Sequence, residues 1–158
     1  KMETYKGAVV REFDPHYMWE LSRIRYALEL SAAEDAVKNM TDQGLERLRQ
    51  IQAAQREDLS NYNVDEFIRH DREFHSCIYE MSLNRELMKL ASNYYDVFRF
   101  LGMQAVMGTE ERRLTTIEEH QDILEAMEQH NPKAAVQAMK KHMEQTETNI
   151  RRHIKIAP

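Results

Sequence analysis

The 158-residue chain contains one cysteine, three prolines, four glycines and one tryptophan. A single thiol, Cys77, excludes an internal disulfide framework and fits a reducing cytoplasm. No Cys-x-x-Cys occurs, which removes thiolate zinc sites and dithiol redox chemistry. Cys77 has no obvious activating neighbour and reads as a buried, inert thiol. With so little glycine there is no phosphate-cradling loop, and no His-Glu-x-x-His pattern is present. No histidine has a glutamate three positions before it, so the paired Glu-x-x-His motifs of di-iron bundles are missing too. No apolar run approaches the roughly 20 residues of a membrane span, so no membrane partner is expected. Excess positive charge is absent as well. The net charge is -5, a poor basis for holding nucleic-acid phosphates directly.

What remains is a helix-forming composition with 31% charged and 42% hydrophobic residues, enough for one domain with a core. Residues 1–13 hold the short β-like stretch Gly7-Ala8-Val9-Val10 and read as a connector or the end of something preceding. Residues 14–158 read as all-α, an antiparallel bundle of about six helices with short connections. Asp14-Pro15 is a capped helix start, and Leu21, Ile24, Arg25, Leu28, Ala32 and Ala36 carry helical spacing to about Met40. Thr41 caps a second helix through Leu45, Leu48 and Ile51. Asn63 with Glu66 resembles a capping box for a third, whose broad apolar face holds Phe67, Asp71, Phe74, His75 and Ile78. Asn84 starts a fourth, expected to run to about Met107. Its stretch from Tyr94 to Leu101 is apolar nearly all round, as in a central helix or a subunit interface. Gly108 breaks it, residues 108–114 read as a charged loop, and Thr115 with Glu118 reads as the next capping box. The fifth helix then carries Ile117, His120, Leu124 and Met127, and the last, after Asn131-Pro132, carries Ala135, Met139, His142 and Thr146.

Asp71 and His75 are four apart and share one helical face. His120 and His142 each lie eleven residues from Asn131, so antiparallel packing places the two imidazoles at the same height. A lone histidine on an apolar face is most often a packed core residue. Three histidines and an aspartate on three inward stripes differ, because burying four such groups costs several kcal/mol unless something satisfies them. The set is a plausible first shell for a divalent transition metal, Zn foremost, with Ni, Fe, Co or Mn also served. His16, His70, His130 and His153 lie at helix ends or off these stripes and read as solvated. Arg25 falls inward between Leu21 and Leu28. It either pairs with Glu29 at i+4 or clamps an anion with its planar fork. Arg99 is a weaker candidate clamp, and Arg112 and Arg113 read as facing solvent.

Asp71-x-x-x-His75, then Asn84-x-x-Leu87, Glu119-His120 and Ala138-Met139-x-x-His142, with Arg25-x-x-Leu28-Glu29 on the first helix, form an ordered set. It resembles the effector-binding FCD domain of FadR-type GntR transcription regulators, over about residues 17–146. The resemblance implies a helical bundle with a metal on Asp71, His75, His120 and His142. It also implies a small carboxylate effector beside that metal, with Arg25 a contact and Arg99 a second candidate. An acyl-CoA-binding branch lacks the metal ligands, so this chain resembles the metal-bearing branch. The resemblance further implies a preceding winged-helix domain, whose last strand Gly7–Glu12 resembles, and DNA contact only through that domain. A homodimer would match a two-fold operator. Where the family has Asn-Pro before Leu87, this chain has Asn84-Arg85. Two rival readings stay open: a small metalloenzyme using the Asp/His3 set, and a helical interaction module whose inward polar groups pair with one another.

Overall fold

The computed structural model describes residues 14–107 and 109–154; the stretch 1–13, Gly108 and residues 155–158 lie outside the described residues, and with them the expected connector and the glycine break. Seven helices are described: α1 (Pro15–Asn39), α2 (Asp42–Ser60), α3 (Val64–Met81), α4 (Arg85–Asn93), α5 (Tyr95–Val106), α6 (Glu110–Glu128) and α7 (Pro132–Ile154). No described helix is long and apolar enough to cross a membrane.

Most starts follow local chemistry. The Asp14 carboxylate accepts from the His16 N–H, Thr41 Oγ1 from Gly44, Asn63 Oδ1 from Glu66 and Asn84 Oδ1 from Leu87, each satisfying an orphan donor of a first turn. Asn131 Oδ1 does the same for Ala134. The ends reflect the shortage of glycine. Tyr62, Leu83 and His130 take left-handed φ values of 57°, 54° and 50° where glycine is the usual choice. Each costs roughly 1 kcal/mol.

Two expectations are corrected. The fourth helix is not continuous to Met107. The chain leaves helical geometry at Tyr94, so α4 ends at Asn93 and a separate helix, α5, begins at Tyr95. The break lets α5 lie against α7, α1 and α3, while α4 covers α1 and α3 with little more than Leu87 buried. The apolar face is therefore split. Leu101 and Phe98 enter the core, and Tyr95 stays 47% exposed. The second correction concerns residues 110–114, which are helix rather than loop. Thr109 Oγ1 accepts from the Arg112 N–H and starts α6 one and a half turns early. Thr115 is no cap; its hydroxyl donates back to the Glu111 carbonyl inside the helix.

α1 packs on α7, α7 on α6, α6 on α2 and α2 on α3, which closes the bundle against α1. Its interior is divided. One apolar cluster holds Ala32, Phe74, Ile78, Leu124 and Met139, and the other holds Met18, Leu21, Phe67, Leu101, Ile117 and Ile150. Between them every long helix turns a polar side chain inward at one level: Arg25 and Glu29, Gln52 and Gln55, Asp71 and His75, Glu119 and His120, His142 and Thr146, all buried. A polar layer across the middle of a hydrophobic core is tolerated only when its groups satisfy one another or a bound ion.

Candidate metal centre

Three imidazoles meet in that layer, His75 from α3, His120 from α6 and His142 from α7, with one ligand atom of each inside a 4.8 Å group. His142 Nε2 is 3.3 Å from His75 Nε2. Asp71 joins through His120, its Oδ1 lying 3.7 Å from His120 Nε2. His120 is fully buried and stacks on Phe74, ring centroids 4.0 Å apart and nearly parallel, which fixes its plane. The four side chains singled out in the sequence therefore converge on one volume.

The outer nitrogens decide what the inner ones are. His75 Nδ1 lies 2.9 Å from Glu29 Oε2, His142 Nδ1 2.8 Å from Glu119 Oε2, and His120 Nδ1 2.9 Å from Gln55 Oε1. Gln55 is oriented by its own amide, whose N–H groups reach Asp71 Oδ1 and the Phe67 carbonyl. All three Nδ1 atoms thus face acceptors and carry the proton, so in neutral rings all three Nε2 atoms present lone pairs. The lone pairs of His75 and His142 face each other at 3.3 Å. His120 Nε2 faces a carboxylate and has no hydrogen-bond partner. Four acceptors without a donor among them repel, unless a cation lies between. Protonating the rings is a costly remedy here. Burial, with His142 and His75 as like-charged neighbours, pushes His120 well below the usual imidazole value, and burial lowers His142 despite Glu119.

The acceptors behind the rings are themselves anchored. Glu29 Oε1 accepts from Arg25 Nε at 3.2 Å, and both Glu119 carboxylate oxygens accept from Arg112 Nη1 at 3.0 Å. Burial raises the Glu29 carboxyl, but His75 and Arg25 together hold it down to about 2, so it is a carboxylate. Arg–Glu–His relays of this kind orient a ligand ring and raise its basicity. Arg112, expected in solvent, is buried in one of them. His70 also departs from expectation. It is half-buried against Asp58, whereas His16, His130 and His153 are exposed.

Arg25 realises its pairing with Glu29, but indoors. It is 5% exposed, and its Nη1 reaches the Phe98 carbonyl of α5 at 3.4 Å. Gly102 of α5 packs beside it: a Cβ there would make ordinary contact, 3.4 Å from Arg25 Nη1 and 3.6 Å from Asp71 Oδ2. Arg25, Glu29 and His75 also form the inner wall of a cleft of about 180 Å3, whose outer wall includes Arg72, Tyr95 and Arg99. Arg25 and Arg99 thus line one hollow, and His75 is the imidazole that opens onto it.

Sequence reasoning passed over Glu29, Gln55, Glu119 and Arg112 as parts of the centre. The signal was present for most of them. Gln52 and Gln55 continue the stripe of Leu45 and Leu48, and Arg112, Thr116, Glu119 and Ile123 form a second inward stripe beside that of His120.

The FCD domain model matches residues 20–145. The Uxu operon regulator of Haemophilus influenzae is 30% identical over 138 residues, 84% of this chain. The chain spans about half the length of that relative. Among solved structures, E. coli McbR/YncC superposes with a TM-score of 0.80 at 21% identity, over 89% of this chain and 67% of that one. The metal-free FCD domain of TM0439 superposes at 0.75 and 15% identity, over 92% of this chain and 99% of that one. A family match of this extent, on a helical bundle with this interior, identifies the chain: it belongs to the FCD domain family.

Proposed function

We propose that this chain is the sensor part of a transcription regulator, in which Asp71, His75, His120 and His142 hold a divalent transition metal. A small carboxylate effector is recognised beside it in the cleft lined by Arg25, His75 and Arg99. The observation that carries the reading is the set of unprotonated nitrogens facing one another around His75 and His142, with His120 Nε2 and the Asp71 carboxylate beside them. Three ring nitrogens with no proton between them, beside a carboxylate, fit a cation better than a fully paired polar layer. Nitrogen and oxygen donors without sulfur suit Zn, Ni, Fe, Co or Mn. Such an ion supplies Lewis-acidic positive charge, which favours a carboxylate next to it. The residues of the chain supply the rest. Glu29, Gln55 and Glu119 hold the rings in one tautomer, and Arg25 offers an oriented guanidinium at the wall of the cleft. DNA contact belongs to a preceding winged-helix domain, and a homodimer in the cytoplasm would present two of these to a symmetric operator. The effector acts only by binding two arrangements of the bundle unequally.

Metal analysis of protein purified without added metal, with mass spectrometry of small acids released on denaturation, tests this. Stoichiometric metal and a released acid are expected, and that acid should be returned unchanged after incubation with fresh protein. Turnover of the acid would replace the sensor by a metalloenzyme. Protein free of metal and unable to take it up would leave a purely structural polar layer.

A further inference from the structure

Of the three arginines that line the effector cleft, Arg25 is paired with Glu29, whereas Arg72 and Arg99 have no carboxylate within 4.0 Å. Both line the cleft that Arg25 and His75 close at its inner end, and both also line the adjoining surface hollow with Ile68 and Phe100. Arg72 is half-buried, its Nε has no hydrogen-bond partner, and its guanidinium lies over the Tyr95 ring at 4.7 Å. Three of the acids nearby are engaged elsewhere, and Asp65 and Asp96 lie beyond 4.0 Å of either guanidinium. Glu29 belongs to Arg25 and His75, Glu80 to Arg47, and Glu73 to Arg69.

We propose that Arg72 and Arg99 form a second anion site at the outer end of the effector cleft, so that the effector is a small dianionic acid. One carboxylate lies inward towards Arg25 and His75. The second anionic group, a carboxylate or a phosphate-type group, lies between Arg72 and Arg99. This rests on the carboxylate-sensor reading above. A planar guanidinium held against an aromatic ring, with a buried N–H still unmatched, is suited to a fork of oxygens. The cleft of about 180 Å3 accommodates an acid of a few carbons.

Calorimetric titration of the metal-loaded chain with length-matched pairs decides the matter: butyrate against succinate, valerate against glutarate, and 3-phosphonopropionate as the phosphate-type arm. At least one dianion should bind tenfold or more tighter than its matched monoanion, and the better of the two dianion types names the outer group. In Arg72→Gln/Arg99→Gln that ratio should fall to near one. Arg99 is exposed, so Arg99→Gln alone serves if the double variant loses helicity by circular dichroism. Matched acids binding within twofold in the parent, or a ratio unchanged in the variants, overturns the second site while leaving the carboxylate sensor standing. No binding by any of the acids removes both.

Discussion

If an ion fills the space between His75, His120 and His142, stripping it should cost measurable stability. A ligand that binds only the folded state adds about 2.7 kcal/mol when free at a hundredfold excess over its Kd. For a chain of this size each kcal/mol moves Tm by roughly 2–4 °C, so a chelator should lower Tm by about 5–11 °C. His120→Ala should abolish that response. The ring is fully buried, and its Nε2 has Asp71 as its near neighbour and no donor to pair with. The substitution also removes the Phe74 stack and opens a cavity, so the absolute Tm of the variant will fall whatever the site binds. The readout is therefore the difference between scans with and without chelator, taken with metal content after dialysis. His142→Ala should behave alike. His130→Asn is the control. That side chain is exposed at a left-handed position which asparagine tolerates, and the variant should keep both metal and the chelator response. Equal chelator shifts in parent and His120→Ala, or full metal in both ligand variants, would refute the assignment.

Four further outcomes are expected. Arg25→Lys keeps charge but loses the fork and the reach to Phe98, so carboxylate affinity should fall about tenfold to a hundredfold by calorimetry, from charge-assisted bonds worth about 1.5–3 kcal/mol, with metal retained. Unchanged affinity would move the clamp to Arg99. Glu119→Gln leaves His142 an amide oxygen but deprives Arg112 of its counter-charge, and should weaken metal binding by about 10–100-fold in a competition titration; an unaltered metal Kd would mean the relay does not tune the ring. The effector and the metal should raise each other's affinity by the same factor, about 5–150, and Glu29→Gln should shrink it if Arg25–Glu29–His75 carries the coupling. Burial pushes the Cys77 thiol up, so at neutral pH iodoacetamide should label it readily only after denaturation; fast labelling of the folded chain would contradict that environment.

The helices were legible wherever a cap and a stripe agreed. Asp14, Thr41, Asn63, Asn84 and Asn131 start helices as their residue types suggest. The break at Tyr94 was not legible, because an apolar stretch on both sides of it satisfies helical periodicity equally well with or without an interruption. The start of α6 was misread for a different reason. Two threonines, Thr109 and Thr115, both offer a cap, and the charged residues between them look solvated until Arg112 is seen to have Glu119 waiting inside. The equal height of His120 and His142 could be derived from spacing about Asn131, since antiparallel helices of equal rise bring equal counts to equal heights, and the i,i+4 spacing of Asp71 and His75 put both on one inward face. The residues behind the rings could not be weighed from one sequence. Glu29 and Glu119 look like solvent carboxylates until packing buries them, and polar groups on a stripe read as its edge rather than its purpose.

The arrangement of the core gives the polar layer its consequence. Apolar clusters above and below hold the helices rigidly, so the layer between them is where a change in charge must be absorbed. Arg25 sits at its boundary. Through Nε it braces Glu29, and through Glu29 it braces His75; through Nη1 it holds the Phe98 carbonyl, which belongs to the helix that begins after the break at Tyr94. An anion that draws this guanidinium towards the cleft competes with both contacts at once. It must either loosen α5 from α1 or pull α5 along, and it alters the acceptor behind His75 in the same movement. If an anion occupies the cleft, three consequences from one side chain make α1 and α5 the pair through which that occupancy would be felt.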